Sequence, residues 1–135
     1  MGQEKSKREN QRQWKRFTLK NGAVAMVQKP SLLKFGKSSY VKLGPIKDIG
    51  MKGLAVQYVE SKNLLRKVKE LSIMVPGEGM VVENIPFKTV RDFEVAELPN
   101  SKKIRNLCVA FSQLRPVQKV QLERFIDEHA DEINS

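Results

Sequence analysis

The chain of 135 residues is the length of one ordinary domain. Hydrophobic residues make up 40%, enough for one modest core, and the mean hydropathy of −0.44 leaves the remainder well solvated. Lys and Arg outnumber Asp and Glu by 25 to 15, a formal charge of +10, so the surrounding field attracts anions. No uncharged apolar run approaches the roughly 18–20 residues of a membrane span, which excludes an integral membrane protein of the helical kind. A single cysteine excludes an internal disulfide and points to a reducing, cytoplasmic setting.

The charge is unevenly placed. Residues 1–69 hold 17 Lys/Arg against 4 Asp/Glu, a local excess of +13, whereas residues 70–135 hold 8 against 11. A cationic arm or face is expected, with nucleic acid, a phosphorylated small molecule or an anionic membrane as partner.

Residues 1–16 are polar and basic, with Trp14 the only large apolar group, and read as a flexible arm; residues 17–135 read as the folded body. From Phe17 onward short apolar runs alternate with turn residues. Asn21-Gly22 between Phe17–Leu19 and Ala23–Val27 predicts a hairpin, and Lys29-Pro30-Ser31 ends its second strand. A further strand runs from Tyr40 to Leu43 and stops at Gly44-Pro45. Ile46–Ile49 and Leu54–Val59 flank a glycine-bearing turn at residues 50–53. Residues 60–69 are left open between a short helix and a loop. Leu71–Val75 and Met80–Val82 bracket Pro76-Gly77-Glu78-Gly79 as a second hairpin, and Phe87–Val95 reads as a half-buried strand. The unbroken apolar run Leu107–Phe111 predicts a central strand, with Cys108 a small buried hydrophobe within it.

Pro116 suits the first position of a helix, and Leu122, Phe125, Ile126 and Ile133 then fall on one side at helical spacing. Many short strands followed by one amphipathic helix of about four turns predict a small antiparallel barrel capped by that helix.

Catalytic signals are weak. His129 is the single histidine and reads as a helix-end residue; Cys108 has no neighbouring base; the scattered Asp and Glu make no metal cage at sequence spacing. No catalytic residue, metal ligand or cofactor is expected, and the chain reads as a binding module. Its binding signals are sharper. Arg8, Arg12 and Arg16 recur every four residues, and guanidinium forks suit phosphate oxygens and the guanine edge. Asp48 lies in the turn Asp48-Ile49-Gly50-Met51-Lys52-Gly53, where a carboxylate is able to accept from guanine N–H donors.

The order of these two elements resembles the signature of PilZ domains: an Arg-x-x-x-Arg pair before the first strand (Arg12-Gln13-Trp14-Lys15-Arg16), then a D-x-S-x-x-G turn, here Asp48 to Gly53. The later stretch Glu83–Lys88, the strand Cys108–Phe111 and the segment Leu114–Ile126 resemble the remainder of stand-alone members of that family. The resemblance covers residues 11–130. It implies a mostly β fold, a six-stranded antiparallel PilZ-type β-barrel with a C-terminal α-helix, that binds the bacterial second messenger cyclic di-GMP (c-di-GMP). It implies ligand contacts at Arg12, Arg16, Asp48 and Gly50, with Gly53 shaping the turn, and a downstream protein partner that reads the bound state. Gly50 departs from the family's serine. Losing that hydroxyl costs about 0.5–1.5 kcal/mol, so a serine restored at position 50 is expected to tighten binding. Two other readings stand beside this one: a PilZ-like adaptor that does not bind the nucleotide, and a small basic barrel for RNA or single-stranded DNA, which the 7% aromatic content disfavours.

Overall fold

In the computed structural model the described residues are 15–29, 39–61, 65 and 67–131. Six strands and one helix follow in chain order: β1 (Val24–Lys29), β2 (Ser39–Ile49), β3 (Gly53–Val59), β4 (Glu70–Val75), β5 (Gly79–Glu97), β6 (Lys103–Phe111) and α1 (Pro116–His129). The strands close into an antiparallel barrel in the order β1-β2-β3-β6-β5-β4, so every strand has a neighbour on both sides. Closure removes the exposed sheet edge that would otherwise pair with other chains. The barrel with its C-terminal helix is the architecture expected from the sequence. None of the described helical segments is long and apolar enough to cross a membrane.

Period-two alternation fills the interior. Leu54 and Val56 of β3 face Val109 and Leu107 of β6 across the ladder, and all four are buried. Val27, Ile49, Leu71, Ile73, Val82 and Ile85 join them in one continuous core. Cys108 belongs to the opposite face of β6, paired with Ala55, and is half-buried; it is not the core residue that the apolar run suggests.

Three further departures from the sequence reading share a cause: tertiary pairing outweighs the local turn signal. The Asn21-Gly22 turn is present, with Gly22 at φ 65°, but its flanks do not pair with each other. Phe17 bridges Ile49 and Leu19 bridges Ala130, whereas β1 pairs with β2 and β4. Gly44-Pro45 does not end β2. Residues 39–45 pair with β1 and residues 46–49 with β3, so the dipeptide is the corner at which the strand passes between neighbours. Gly44 packs against the Gln57 carbonyl so closely that a Cβ has no room.

The third is β5, one 19-residue strand rather than two. A bulge near Asn84, at φ 56°, keeps it continuous, and Ser72 Oγ accepts from the Asn84 N–H at 2.9 Å. The helix docks on this bulge. Gln118, buried, donates its amide N–H to the carbonyls of Glu83 (2.7 Å) and Asn84 (3.0 Å), while its Oε1 accepts from Arg115 N. Leu122, Phe125 and Ile126 then bury against the barrel as their spacing predicts, and Pro116 occupies the first helical turn. Ile133 and residues 1–14 of the arm, Trp14 among them, lie outside the described residues, as do residues 62–64 and 66 of the 60–69 segment.

Far along the β3-β6-β5 sheet, Tyr58 donates to Asp92 Oδ2 at 2.8 Å and Arg105 Nε donates to Asp92 Oδ1 at 2.8 Å. Burial of the phenol, reinforced by the Asp92 acceptor, pushes the Tyr58 pKa up to about 12. A raised folded-state pKa means that the stabilisation is complete below the unfolded value of about 10 and is lost as pH climbs toward 12. An ultraviolet absorbance titration of the two tyrosines should therefore show a late phase above pH 10 that Tyr58→Phe removes. Titration of both tyrosines at the ordinary pH would contradict the buried pair. A second expectation concerns Gly53, whose Cβ position coincides with the Val109 carbonyl across the ladder. Gly53→Ala should lower stability by about 1–3 kcal/mol in a denaturant melt, because β3 and β6 must separate to admit the methyl.

Candidate functional site

The residues that lead into the barrel lie directly on the β2–β3 turn. Phe17 and Ile49 exchange both backbone hydrogen bonds, Phe17 N to Ile49 O at 2.8 Å and Ile49 N to Phe17 O at 2.9 Å. Antiparallel register then sets Arg16 opposite Gly50 and makes Arg16 and Asp48 diagonal neighbours, a separation that long side chains span. Arg16 Nε sits 3.1 Å from Asp48 Oδ1, with the two side chains 41% and 36% exposed. Asp48 and Arg16, 32 positions apart in the chain, are thus brought to one surface.

The carboxylate is incompletely satisfied. Asp48 Oδ1 is buried and receives no aligned hydrogen bond from the described residues; the Arg16 contact is a charge contact rather than a directed one. A buried anionic acceptor without a donor is costly unless a partner supplies one. The arginine, for its part, faces Asp48 with one of its five N–H donors and carries four more on the terminal nitrogens. Lys15, Lys47 and Lys52 are exposed close by in the chain, and the Lys15 ammonium lies 5.4 Å from the centroid of the Phe17 ring.

Gly50 has a reason that sequence reading missed. Its φ is not positive, so the position does not require glycine for backbone conformation. An added Cβ would instead lie 2.6 Å from the Lys15 carbonyl oxygen and 3.3 Å from Arg16 Cδ. The chain itself approaches closely here. A serine at position 50 therefore displaces Lys15 and Arg16 before its hydroxyl reaches a ligand, a cost that the expectation of a simply restored contact leaves out. Gly50 N donates to Gly53 O at 2.9 Å and closes the turn, while Gly53 packs its backbone against Val109 of β6.

Of the five sequence-derived site residues, Arg16, Asp48, Gly50 and Gly53 converge on this one turn; Arg12 lies outside the described residues. Two groups elsewhere were not singled out from sequence as members of clusters. Tyr58, Asp92 and Arg105 form the hydrogen-bonded set described above, and Glu78, Glu128 and His129 meet at the end of α1.

Solved structures of a similar fold exist. MrkH, described as a c-di-GMP-dependent transcription regulatory factor, superposes with a TM-score of 0.55 at 16% identity, covering 84% of this chain and 48% of that one. The apo state of K. pneumonia MrkH gives 0.56 at 14% identity, and its complex with c-di-GMP gives 0.56 at 15%, each over 84% of this chain. The chain spans about half the length of MrkH. No protein-family model matches the sequence, and no curated protein matches it. At this identity the likeness to MrkH is one of fold.

Proposed function

We propose that this chain is a PilZ-type receptor for cyclic di-GMP, a non-catalytic bacterial, cytoplasmic module that signals to a protein partner. The observation that carries the reading is the juxtaposition of Arg16 and Asp48 on the β2–β3 turn, with Asp48 Oδ1 lacking a directed donor. The fold shared with MrkH, whose c-di-GMP complex is known, supports it.

The chemistry follows from the two charges. A carboxylate on an anion-binding face repels phosphate, so Asp48 serves the ligand only where the ligand donates. Guanine does so through N1–H and N2–H, and the Asp48 oxygens accept both. Arg16 offsets the carboxylate and uses its remaining N–H groups on a phosphate oxygen or on the guanine O6/N7 edge. Arg12, four residues earlier in the sequence, supplies the second guanidinium that the family resemblance assigns. Lys15, Lys47 and Lys52 raise the local concentration of the anion without reading it. Binding is thereby coupled to the backbone that joins the arm to the barrel, because Lys15 and Arg16 already pack on Gly50. A change in how that segment lies is what a partner protein reads.

A polymeric nucleic acid fits less well. Among the described residues the exposed large apolar side chains are all valines, at positions 59, 90, 95, 117 and 120, and none offers a ring for base stacking.

Calorimetric titration with cyclic di-GMP, against GTP and cyclic di-AMP, tests the proposal. Saturable binding of the guanine dinucleotide is expected, with a loss of roughly five- to 150-fold in Arg16→Ala, the equivalent of about 1–3 kcal/mol for a bidentate contact. Arg16 is 41% exposed, so the variant should melt close to the parent. Equal affinity in parent and variant would remove Arg16 from the site. Gly50→Ser should melt lower by about 1–3 kcal/mol and bind more weakly, because the side chain lifts Lys15 off the turn. Tighter binding by this variant would mean that the segment yields without cost.

A further inference from the structure

We propose that Glu78, Glu128 and His129 form a binding site for one divalent transition-metal ion of the zinc class, on a part of the barrel that the nucleotide reading does not use. One ligand atom from each residue lies within 4.8 Å of the other two. His129 Nε2 is 3.2 Å from Glu78 Oε2 and 4.0 Å from Glu128 Oε2. Tetrahedral zinc with bonds of about 2.0–2.2 Å places its donors roughly 3.3–3.6 Å apart. The first separation already fits. The second closes by rotation of the Glu128 side chain, which is 58% exposed and free to turn.

The imidazole is held firmly in place. His129 is 5% exposed, its ring lies 5.0 Å from that of Phe125, and its Nδ1 is held by Asn21 Nδ2 at 2.6 Å. A metal-binding histidine commonly donates its second ring N–H to an acceptor, and the Asn21 amide supplies one once its Oδ1 faces Nδ1. Nδ1 is paired with the Asn21 amide and Nε2 faces Glu78, so each ring nitrogen has one polar partner. A zinc ion would take Nε2, with the ring N–H at Nδ1 donated to Asn21 Oδ1 after a half-turn of that amide. Nε2 is then bare and directed at the two carboxylates. One nitrogen and two carboxylate oxygens, with water in the fourth position, favour zinc over calcium or magnesium, which require more oxygen ligands.

The ligands come from two separated parts of the chain. Glu78 stands on the β4–β5 turn, which is set by Glu78 N donating to Val75 O at 2.9 Å and by positive φ at Gly77 and Gly79. Glu128 and His129 end α1. Backbone bonds from Lys20 N to His129 O and from Asp131 N to Thr18 O hold the same helix end against residues 18–20. An ion at this point would join the β4–β5 turn, the helix end and the segment carrying Asn21.

The test uses the tag-free full chain, whose one histidine gives a single set of imidazole resonances. Zinc is titrated by calorimetry and by NMR of that ring. The expected result is one ion per chain, a shift of the His129 resonances, and a higher melting temperature in the presence of zinc. Affinity should fall at least tenfold in Glu78→Gln and in Glu128→Gln. Both residues are half-exposed, so these variants keep the fold even where His129→Ala does not. Unchanged affinity in the Glu78→Gln/Glu128→Gln double variant, an unshifted imidazole, or no binding at a zinc excess that saturates free imidazole would each overturn the proposal.

Discussion

Two backbone hydrogen bonds between Phe17 and Ile49 govern the candidate site, because they fix how the chain enters the barrel. Once that pair is in register, Arg16 must lie over Gly50, and Asp48 becomes its diagonal neighbour. The ion contact at 3.1 Å is a consequence of the pairing more than its cause, since a half-exposed ion pair contributes little stability by itself. Position 50 is constrained by the same pairing. A residue under the Lys15 carbonyl has no room for a side chain, so the glycine there belongs to the packing of the entry segment as much as to any ligand.

The entry segment is held at both ends. Phe17 pairs with the β2–β3 turn and Leu19 with Ala130 at the end of α1, so fewer than ten residues connect that turn to the helix terminus. The helix is itself anchored through Gln118, whose amide serves the carbonyls that the β5 bulge leaves at Glu83 and Asn84. A buried glutamine with every donor used rigidifies that junction. Lys15 and Arg16 thus adjoin a short, hydrogen-bonded path that ends on α1, which is itself fixed to the barrel.

Much of this was legible in the sequence, and the exceptions have physical causes. The helix followed from Pro116 and the spacing of Leu122, Phe125 and Ile126; the hairpin at residues 76–79 followed from its glycines; the strand at 107–111 followed from its apolar run. The turn holding Asp48 was visible as a glycine-bearing break between apolar runs. What failed was any inference that treated a turn residue as an end. Gly44-Pro45 is a corner within β2, and Asn84 is a bulge within β5, because barrel closure requires strands that bend without stopping. Phe17–Leu19 pairs with distant residues rather than across Asn21-Gly22, and such pairings leave no local trace. The meeting of Glu78 with Glu128 and His129 escaped for the same reason, as 50 residues of sequence separate groups that topology brings within hydrogen-bond range.

The central claim is that the entry segment and the β2–β3 turn together form one nucleotide-reading surface. Amide chemical shifts recorded through a titration with cyclic di-GMP address it residue by residue. The largest changes are expected at residues 15–17 and 48–53, with the amides of α1 nearly unmoved. Saturable binding whose shifts fall along β5 and β6, with residues 48–53 silent, would place the ligand elsewhere and contradict the claim.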